Sequence, residues 1–169
     1  MWNDTDIPLA YLITFRCYGT WLHGDERGSI DRVNNIYKSP YIPASRGFAK
    51  FNQKELKGKP VSLDANQREI IEKAIREVCD FRNWTLRAIS VRTNHVHAVV
   101  SIGLENPGKA LNNFKVYATR KMRENGCWKF DHSPWSNKGS KRFLWNERSI
   151  EIAVDYVING QGNELPDFD

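Results

Sequence analysis

Two histidines separated by one residue are the side chains in this sequence best suited to hold a metal ion. They lie in the segment His95-Val96-His97. Side chains alternate along a β-strand, so the two imidazoles would share one face, about 7 Å apart, and could bind one divalent ion. Val96, Ala98 and Val100 would then face the other way, into a core. An isolated pair of this kind is also common on a merely polar strand face.

A tyrosine among basic residues is the second candidate for chemistry. Tyr117 lies at the edge of the apolar stripe of a helix predicted at about 108–125. Four cations surround it: Lys115, Arg120, Lys121 and Arg123. Positive charge would stabilise a phenolate and hold a phosphodiester, and a tyrosinate can attack phosphorus where a metal polarises the phosphate. A core tyrosine with a hydrogen-bonded hydroxyl is the other interpretation of this position.

The hydrophobic pattern predicts the elements that must position these residues. They are a strand at 9–18, a long loop at about 19–62, a helix at about 64–83, hairpin strands at 85–92 and 95–102, the helix at about 108–125, a short strand at 143–145 and a helix at about 147–159. Helices interleaved with hairpin strands predict an α+β fold, with an antiparallel sheet covered by helices on one face. The 169 residues fit a single domain spanning 1–169.

Charge and composition favour a nucleic-acid partner. The net charge is +5, but residues 104–148 carry +6 and the end of the chain, 149–169, carries −5. A basic middle suggests a face that binds polyanions, with the acidic tail lying elsewhere or competing for it. Aromatic and basic residues also interleave in the loop at 19–62, as on single-strand nucleic-acid surfaces, although an insertion packed on the core would look similar.

Targeting signals are not apparent. No apolar run approaches the roughly 18 residues that span a bilayer, and the acidic start is unlike a secretory signal. The cysteines Cys17, Cys79 and Cys127 lie far apart, which predicts reduced thiols in a cytoplasmic protein.

Taken in order, the motifs resemble those of the single-tyrosine HUH transposases of bacterial insertion sequences, in the branch related to REP-associated tyrosine transposases. The matching segments are Thr14-Phe-Arg-Cys-Tyr-Gly-Thr-Trp-Leu22, Val91-Arg-Thr-Asn-His-Val-His97, Asn113-Phe-Lys-Val-Tyr-Ala-Thr-Arg120 and Arg142-Phe-Leu-Trp145. The resemblance extends over nearly the whole chain, and the combination is far more specific than two histidines alone.

The resemblance implies a ferredoxin-like fold of the HUH-nuclease type and a defined reaction. Tyr117 would attack single-stranded DNA, leaving a 5′-phosphotyrosine link and a free 3′-hydroxyl, while His95 and His97 would hold Mg²⁺ or Mn²⁺. The link would allow another hydroxyl to reseal the strand. The implied partners are single-stranded or hairpin DNA and a second copy in a homodimer, in the bacterial cytoplasm near the nucleoid. Candidate DNA contacts, chosen for charge and nearness to the motifs, are Arg16, Arg92, Lys115, Arg120, Lys121 and Arg142.

One departure from the family pattern leaves an alternative open. A third metal ligand, often Gln, is expected one helical turn after the tyrosine, where this chain has Lys121. A protonated lysine cannot ligate a cation, which favours a non-catalytic hairpin-DNA-binding protein derived from a transposase. A histidine-triad nucleotide hydrolase would need a further histidine where the chain has Val99. A replication-initiator nuclease would share the chemistry, but the chain is small for one.

Overall fold

The chain folds into strands and helices close to those predicted. The computed structural model describes residues 7–20 and 59–160. Most of the predicted loop at 19–62 and the acidic tail from 161 onward lie outside the described residues. The elements are β1 (Ala10–Arg16), α1 (Ala65–Arg82), β2 (Thr85–Val91), β3 (His95–Ser101), α2 (Pro107–Glu124), β4 (Ser140–Leu144) and α3 (Glu147–Asn159).

The four strands form one antiparallel sheet in the order β2-β3-β1-β4. Since α1 follows β1 and α2 follows β3, the first six elements have the βαββαβ order of a ferredoxin-like fold. The predicted α+β class and antiparallel sheet are confirmed. The two central strands, β3 and β1, are paired from Tyr11 to Arg16 and from His95 to Val100, so side chains on them have fixed neighbours.

The helices are divided between the two faces of the sheet. Helices α1 and α2 pack on the face that carries Ile13, Phe15 and Val96, where the larger core lies. Helix α3 packs on the opposite face, against a smaller cluster that includes Leu12 and Val99. The prediction that helices cover one face of the sheet is therefore confirmed for α1 and α2. Helix α3 differs, because its apolar stripe covers part of the other face.

Helix α3 begins almost immediately after the sheet. Only Trp145 and Asn146 separate it from β4. The Asn146 side chain accepts a hydrogen bond from the Ser149 backbone N–H at 2.9 Å, which satisfies one of the unpaired donors of the first turn. This cap fixes where the helix starts relative to the sheet. None of the described helices is long and apolar enough to cross a membrane.

Candidate active site

The two histidines of the sequence motif lie side by side on the face of the sheet that α3 covers. His95 begins β3, and the ring centroids of His95 and His97 are 4.8 Å apart. In the register with β1, His97 pairs with Thr14 and His95 with Arg16. Because Val96 faces the larger core, strand alternation directs both imidazoles to the opposite face, as their spacing predicts.

Each imidazole is oriented through its Nδ1 atom. The Nδ1 of His95 lies 2.7 Å from the amide oxygen of Asn94, and the Nδ1 of His97 lies 2.7 Å from the hydroxyl of Thr14. An amide oxygen only accepts hydrogen bonds, so Nδ1 of His95 is the donor and its Nε2 carries the lone pair. The Thr14 hydroxyl can accept from His97 in the same way. Contacts of this kind orient metal-binding histidines.

A tyrosine from α3 lies next to the histidine pair. The ring centroids of Tyr156 and His97 are 5.4 Å apart. Helix α3 brings this side chain there because its stripe of Ile150, Ala153 and Val157 packs on the sheet, and Tyr156 adjoins that stripe. Tyr156 is partly buried at the edge of the same cluster. The sheet face thus combines two imidazoles and one phenol.

Two arginines give this site a positive potential. Burial is the largest of the effects that together lower the pKa of His97 to about 3; the neighbouring His95 and the guanidinium groups of Arg16 and Arg92 act in the same direction. His97 is 5% exposed. Its imidazole is consequently neutral at ordinary pH, the form in which histidine binds a cation. The same two arginines would attract a phosphodiester.

The structure separates Tyr117 from the histidines. Helix α2 packs on the face of the larger core through Phe114 and Ala118, and Tyr117 is partly buried against that core. His95 and His97 lie on the other face. Within one copy of the chain the sheet therefore lies between Tyr117 and the histidine pair, so the three side chains expected in one site are not brought together there. Arg120 lies over the Tyr117 ring, 5.2 Å from its centroid.

The six basic residues proposed as DNA contacts divide between the two sides of the sheet. Arg16, Arg92 and Arg142 lie on the histidine face, Arg142 through its pairing with Leu12 in the register of β4. The other three, Lys115, Arg120 and Lys121, lie on α2. Lys115 donates to the backbone oxygen of Ser136 at 3.0 Å, and Lys121 forms ion pairs at 3.6 Å and 3.5 Å with Glu77 and Glu124.

The donor set at the site fits a divalent cation held by two protein ligands. Both imidazoles are oriented through Nδ1, which leaves ligation to Nε2. Among the described residues, no cluster of three or more His, Cys, Asp or Glu side chains could hold a metal. Lys121, which occupies the position expected for a third ligand after Tyr117, is paired with glutamates on the other side of the sheet. One helical turn after Tyr156 comes Gly160, followed by Gln161 outside the described residues.

Comparison with known proteins identifies the family. The sequence model of the family described as "Transposase IS200 like" matches residues 57–157, which include every element from α1 to β4 and all but the last two residues of α3. The chain belongs to the IS200-like transposases. The structure of a REP-associated tyrosine transposase bound to a REP hairpin has the same fold, with a TM-score of 0.52 and 12% sequence identity. The match covers 93% of the present chain and 69% of the REP-associated protein.

A second solved structure is more distant. It is that of a candidate transposase from Deinococcus radiodurans R1, with a TM-score of 0.47 and 11% identity over 96% of this chain and 98% of that one. No curated protein matches this transposase significantly.

Sequence reasoning missed Tyr156, although a signal for it was present. Val96, Ala98 and Val100 were expected to face the core, as they do. A helix whose stripe packs on that core cannot also reach the histidines, which excludes Tyr117 as their neighbour. The only other predicted helix after the hairpin contains Tyr156. Strand alternation and helix stripes, applied together, would have indicated it.

Proposed function

We propose that this transposase cleaves and rejoins single-stranded DNA with Tyr156 as the nucleophile and His95 and His97 as ligands of a divalent cation. The observation that carries the proposal is that the Tyr156 ring lies 5.4 Å from that of His97 on the side of the sheet where both histidines lie. Membership of the IS200-like family supports a transposition reaction. Tyr117, on the other side of the sheet, is left with a packing role.

The reaction would exchange one phosphodiester for another. The Tyr156 phenolate oxygen attacks the phosphorus, the P–O bond to the 3′-oxygen breaks, and that oxygen leaves as a 3′-hydroxyl once protonated. The strand is then linked to Tyr156 as a 5′-phosphotyrosine. A 3′-hydroxyl of another strand reverses the step and restores the phenol, so no nucleotide cofactor is consumed. Bound Mg²⁺ or Mn²⁺ would polarise the phosphate and stabilise the leaving oxygen.

The residues around Tyr156 suit this task. Arg16 and Arg92 lie close enough to affect the pKa of His97, and they would hold the phosphate and stabilise the phenolate by their charge. Neutral His97 is ready to ligate without first losing a proton. The DNA partner, single-stranded or hairpin, is consistent with the hairpin bound to the REP-associated relative. Assembly as a homodimer is part of the same proposal, from resemblance alone.

The decisive experiment compares two tyrosine variants. Single-stranded DNA with hairpins from the flanks of the gene is incubated with the protein and Mn²⁺, and the mixture is resolved on a denaturing gel. Wild type and Tyr117→Phe should form a covalent protein–DNA adduct that EDTA prevents, while Tyr156→Phe should form none. Both substitutions remove only a hydroxyl, so each controls for the other.

Two other outcomes would overturn the assignment. An adduct that persists in Tyr156→Phe and is lost in Tyr117→Phe would make Tyr117 the nucleophile. Hairpin binding by the wild type without an adduct in any divalent metal would favour a DNA-binding protein that no longer cleaves.

A further inference from the structure

Three aromatic rings form a cluster in the segment that follows α2. Trp128 is 5% exposed and forms the floor of the cluster, whereas Phe130 is 59% exposed and His132 is also exposed. The Phe130 and His132 rings are stacked, with centroids 5.4 Å apart and planes 24° apart. Both contact Trp128 edge-on, at 5.0 Å and 5.5 Å. The rings of Phe130 and His132 are therefore exposed to solvent while they pack on the buried ring of Trp128.

Hydrogen bonds hold the exposed rings in place. The indole N–H of Trp128 donates to the backbone oxygen of His132 at 2.9 Å. The guanidinium of Arg123 donates to the backbone oxygens of Phe130 and Asp131 at 3.2 Å and 3.3 Å, which ties the segment to α2. A ligand that stacks on preformed rings loses less free energy to ordering the site than one that must order them.

A groove with basic walls adjoins the rings. It has a volume of about 790 Å³ and lies between α2 and residues 131–138. Its cations include Arg120, Arg123 and Lys138, and its acids are Glu124 and Asp131. Lys115 fixes the groove rather than facing a ligand, since its ammonium donates to the backbone oxygens of Ser136 and Lys138.

The groove and the rings lie at the same end of the sheet as the histidine pair. The Ser136 backbone N–H donates to the backbone oxygen of Arg16 at 2.9 Å, and Arg16 is the register partner of His95. The ring of Tyr18, just beyond β1, lies 6.0 Å from that of His132. A DNA strand at the histidines could thus continue around this end of the sheet onto the rings.

We infer that residues 128–138 and α2 form a binding surface for unpaired nucleotides of the DNA strand that the transposase cleaves. A nucleobase stacks on Phe130 and His132, and neighbouring phosphates contact Arg120 and Lys138. Exposed rings beside a basic groove suit single-stranded DNA, because only an unpaired base offers its whole face for stacking, and each stacked base strengthens binding substantially. The inference rests on the proposed function in taking DNA as the substrate.

Affinity for a fluorescein-labelled oligothymidine, measured by anisotropy in EDTA so that no cleavage occurs, tests the stacking. Phe130→Ala should weaken binding by between about 5-fold and 150-fold, the range that corresponds to the loss of one stacking ring. Phe130→Tyr should bind like wild type. The matched control is Phe81→Ala, which removes a ring that is 80% exposed at the end of α1. Unchanged affinity in Phe130→Ala, or equal losses in both alanine variants, would overturn the inference.

An abasic oligonucleotide separates stacking from general damage. Without bases, wild type and Phe130→Ala should bind equally, and a difference that persists there would contradict stacking. Arg120→Gln and Lys138→Gln should each reduce the slope of log Kd against log salt by about 0.7, the value for one phosphate contact on a single strand. Lys73→Gln is the control, because Lys73 is an exposed residue of α1 that pairs with Glu69; this substitution should leave the salt slope unchanged.

The two proposals fail in different ways. If Phe130→Ala binds normally while Tyr156→Phe still loses the adduct, the binding surface is wrong and the proposed function stands. If the adduct persists in Tyr156→Phe while Phe130→Ala binds weakly, the nucleophile is wrong and the surface stands.

Discussion

Each imidazole of the site is oriented by a polar side chain, but from different parts of the chain. Asn94 is the immediate neighbour of His95, whereas Thr14 reaches His97 from the adjacent strand. Burial leaves His97 few alternative rotamers, and the hydrogen bond selects the tautomer with Nδ1 protonated when Nε2 binds a cation. One of the two proposed ligands therefore depends on a contact between strands.

Thr14→Val should weaken binding of Mn²⁺. The substitution keeps the shape of the side chain but removes the hydroxyl that holds Nδ1 of His97, and loss of such a partner typically reduces metal affinity by about 10- to 100-fold. Isothermal titration calorimetry with Mn²⁺ measures the effect directly. Thr85→Val, an exposed threonine on β2, is the matched control, and an affinity for Mn²⁺ equal to wild type in Thr14→Val would exclude this role for the hydroxyl.

At the scale of elements, α3 differs from the other helices in how it is held. Helices α1 and α2 share the larger core with the sheet and pack on each other. Among the described residues, α3 packs on the sheet alone, through the smaller cluster of Ile150, Ala153, Val157 and their strand partners. Segments with less buried apolar surface open at lower free energy. The helix that carries Tyr156 is thus the one expected to open first.

Hydrogen–deuterium exchange should show this order. Amides of α3 should exchange faster than those of α1 under native conditions, and Ile150→Val should speed exchange in α3 while leaving α1 unchanged. The substitution removes one methyl group from a buried side chain, which costs about 0.5–1.5 kcal/mol. Val78→Ala, on α1, is the converse control. Equal protection of the two helices in wild type would contradict the expected order.

The sequence allowed the elements to be predicted more fully than the site. Strand and helix patterns predicted the described elements to within a few residues, since apolar spacing is a local property, although β4 lies at Ser140–Leu144 rather than at 143–145. Alternation also put His95 and His97 on one face. Which tyrosine lies beside the histidines depends on the face of the sheet that α2 packs on, and the basic residues around Tyr117 do not reveal that face. Lys115 instead binds the backbone oxygen of Ser136 and Lys121 pairs with Glu77, both of them residues distant in sequence.

For the molecule as a whole, the buried imidazole of His97 makes the free energy of unfolding depend on pH. The pKa of His97 is about 3 in the folded chain and about 6.5 in an unfolded one. Between those values the unfolded chain binds a proton that the folded chain does not, so stability is lost as pH falls from about 6.5 toward 3. Above about 6.5 both states are neutral at this residue, and the effect vanishes.

Denaturation in urea with EDTA present should reveal this loss. Between pH 7 and 5, the unfolding free energy of wild type should fall with a slope of at most about 1.4 kcal/mol per pH unit from this residue. His97→Gln should flatten the curve, whereas His132→Gln, on an exposed loop, should not. Parallel curves for wild type and His97→Gln would show that His97 does not control acid stability.

Because the link between β4 and α3 is short, the number of residues between the end of β4 and Tyr156 determines where the phenol lies relative to the sheet. Tyr156 comes nine residues after the start of α3 at Glu147, about 14 Å along the helix axis. Inserting or deleting one residue between Glu147 and Tyr156 would rotate the phenol by about 100° around the helix axis, away from the face of the sheet where the histidines lie. Lineages of this transposase should consequently vary in length at other places, and the spacing between the end of β4 and the tyrosine should stay the same.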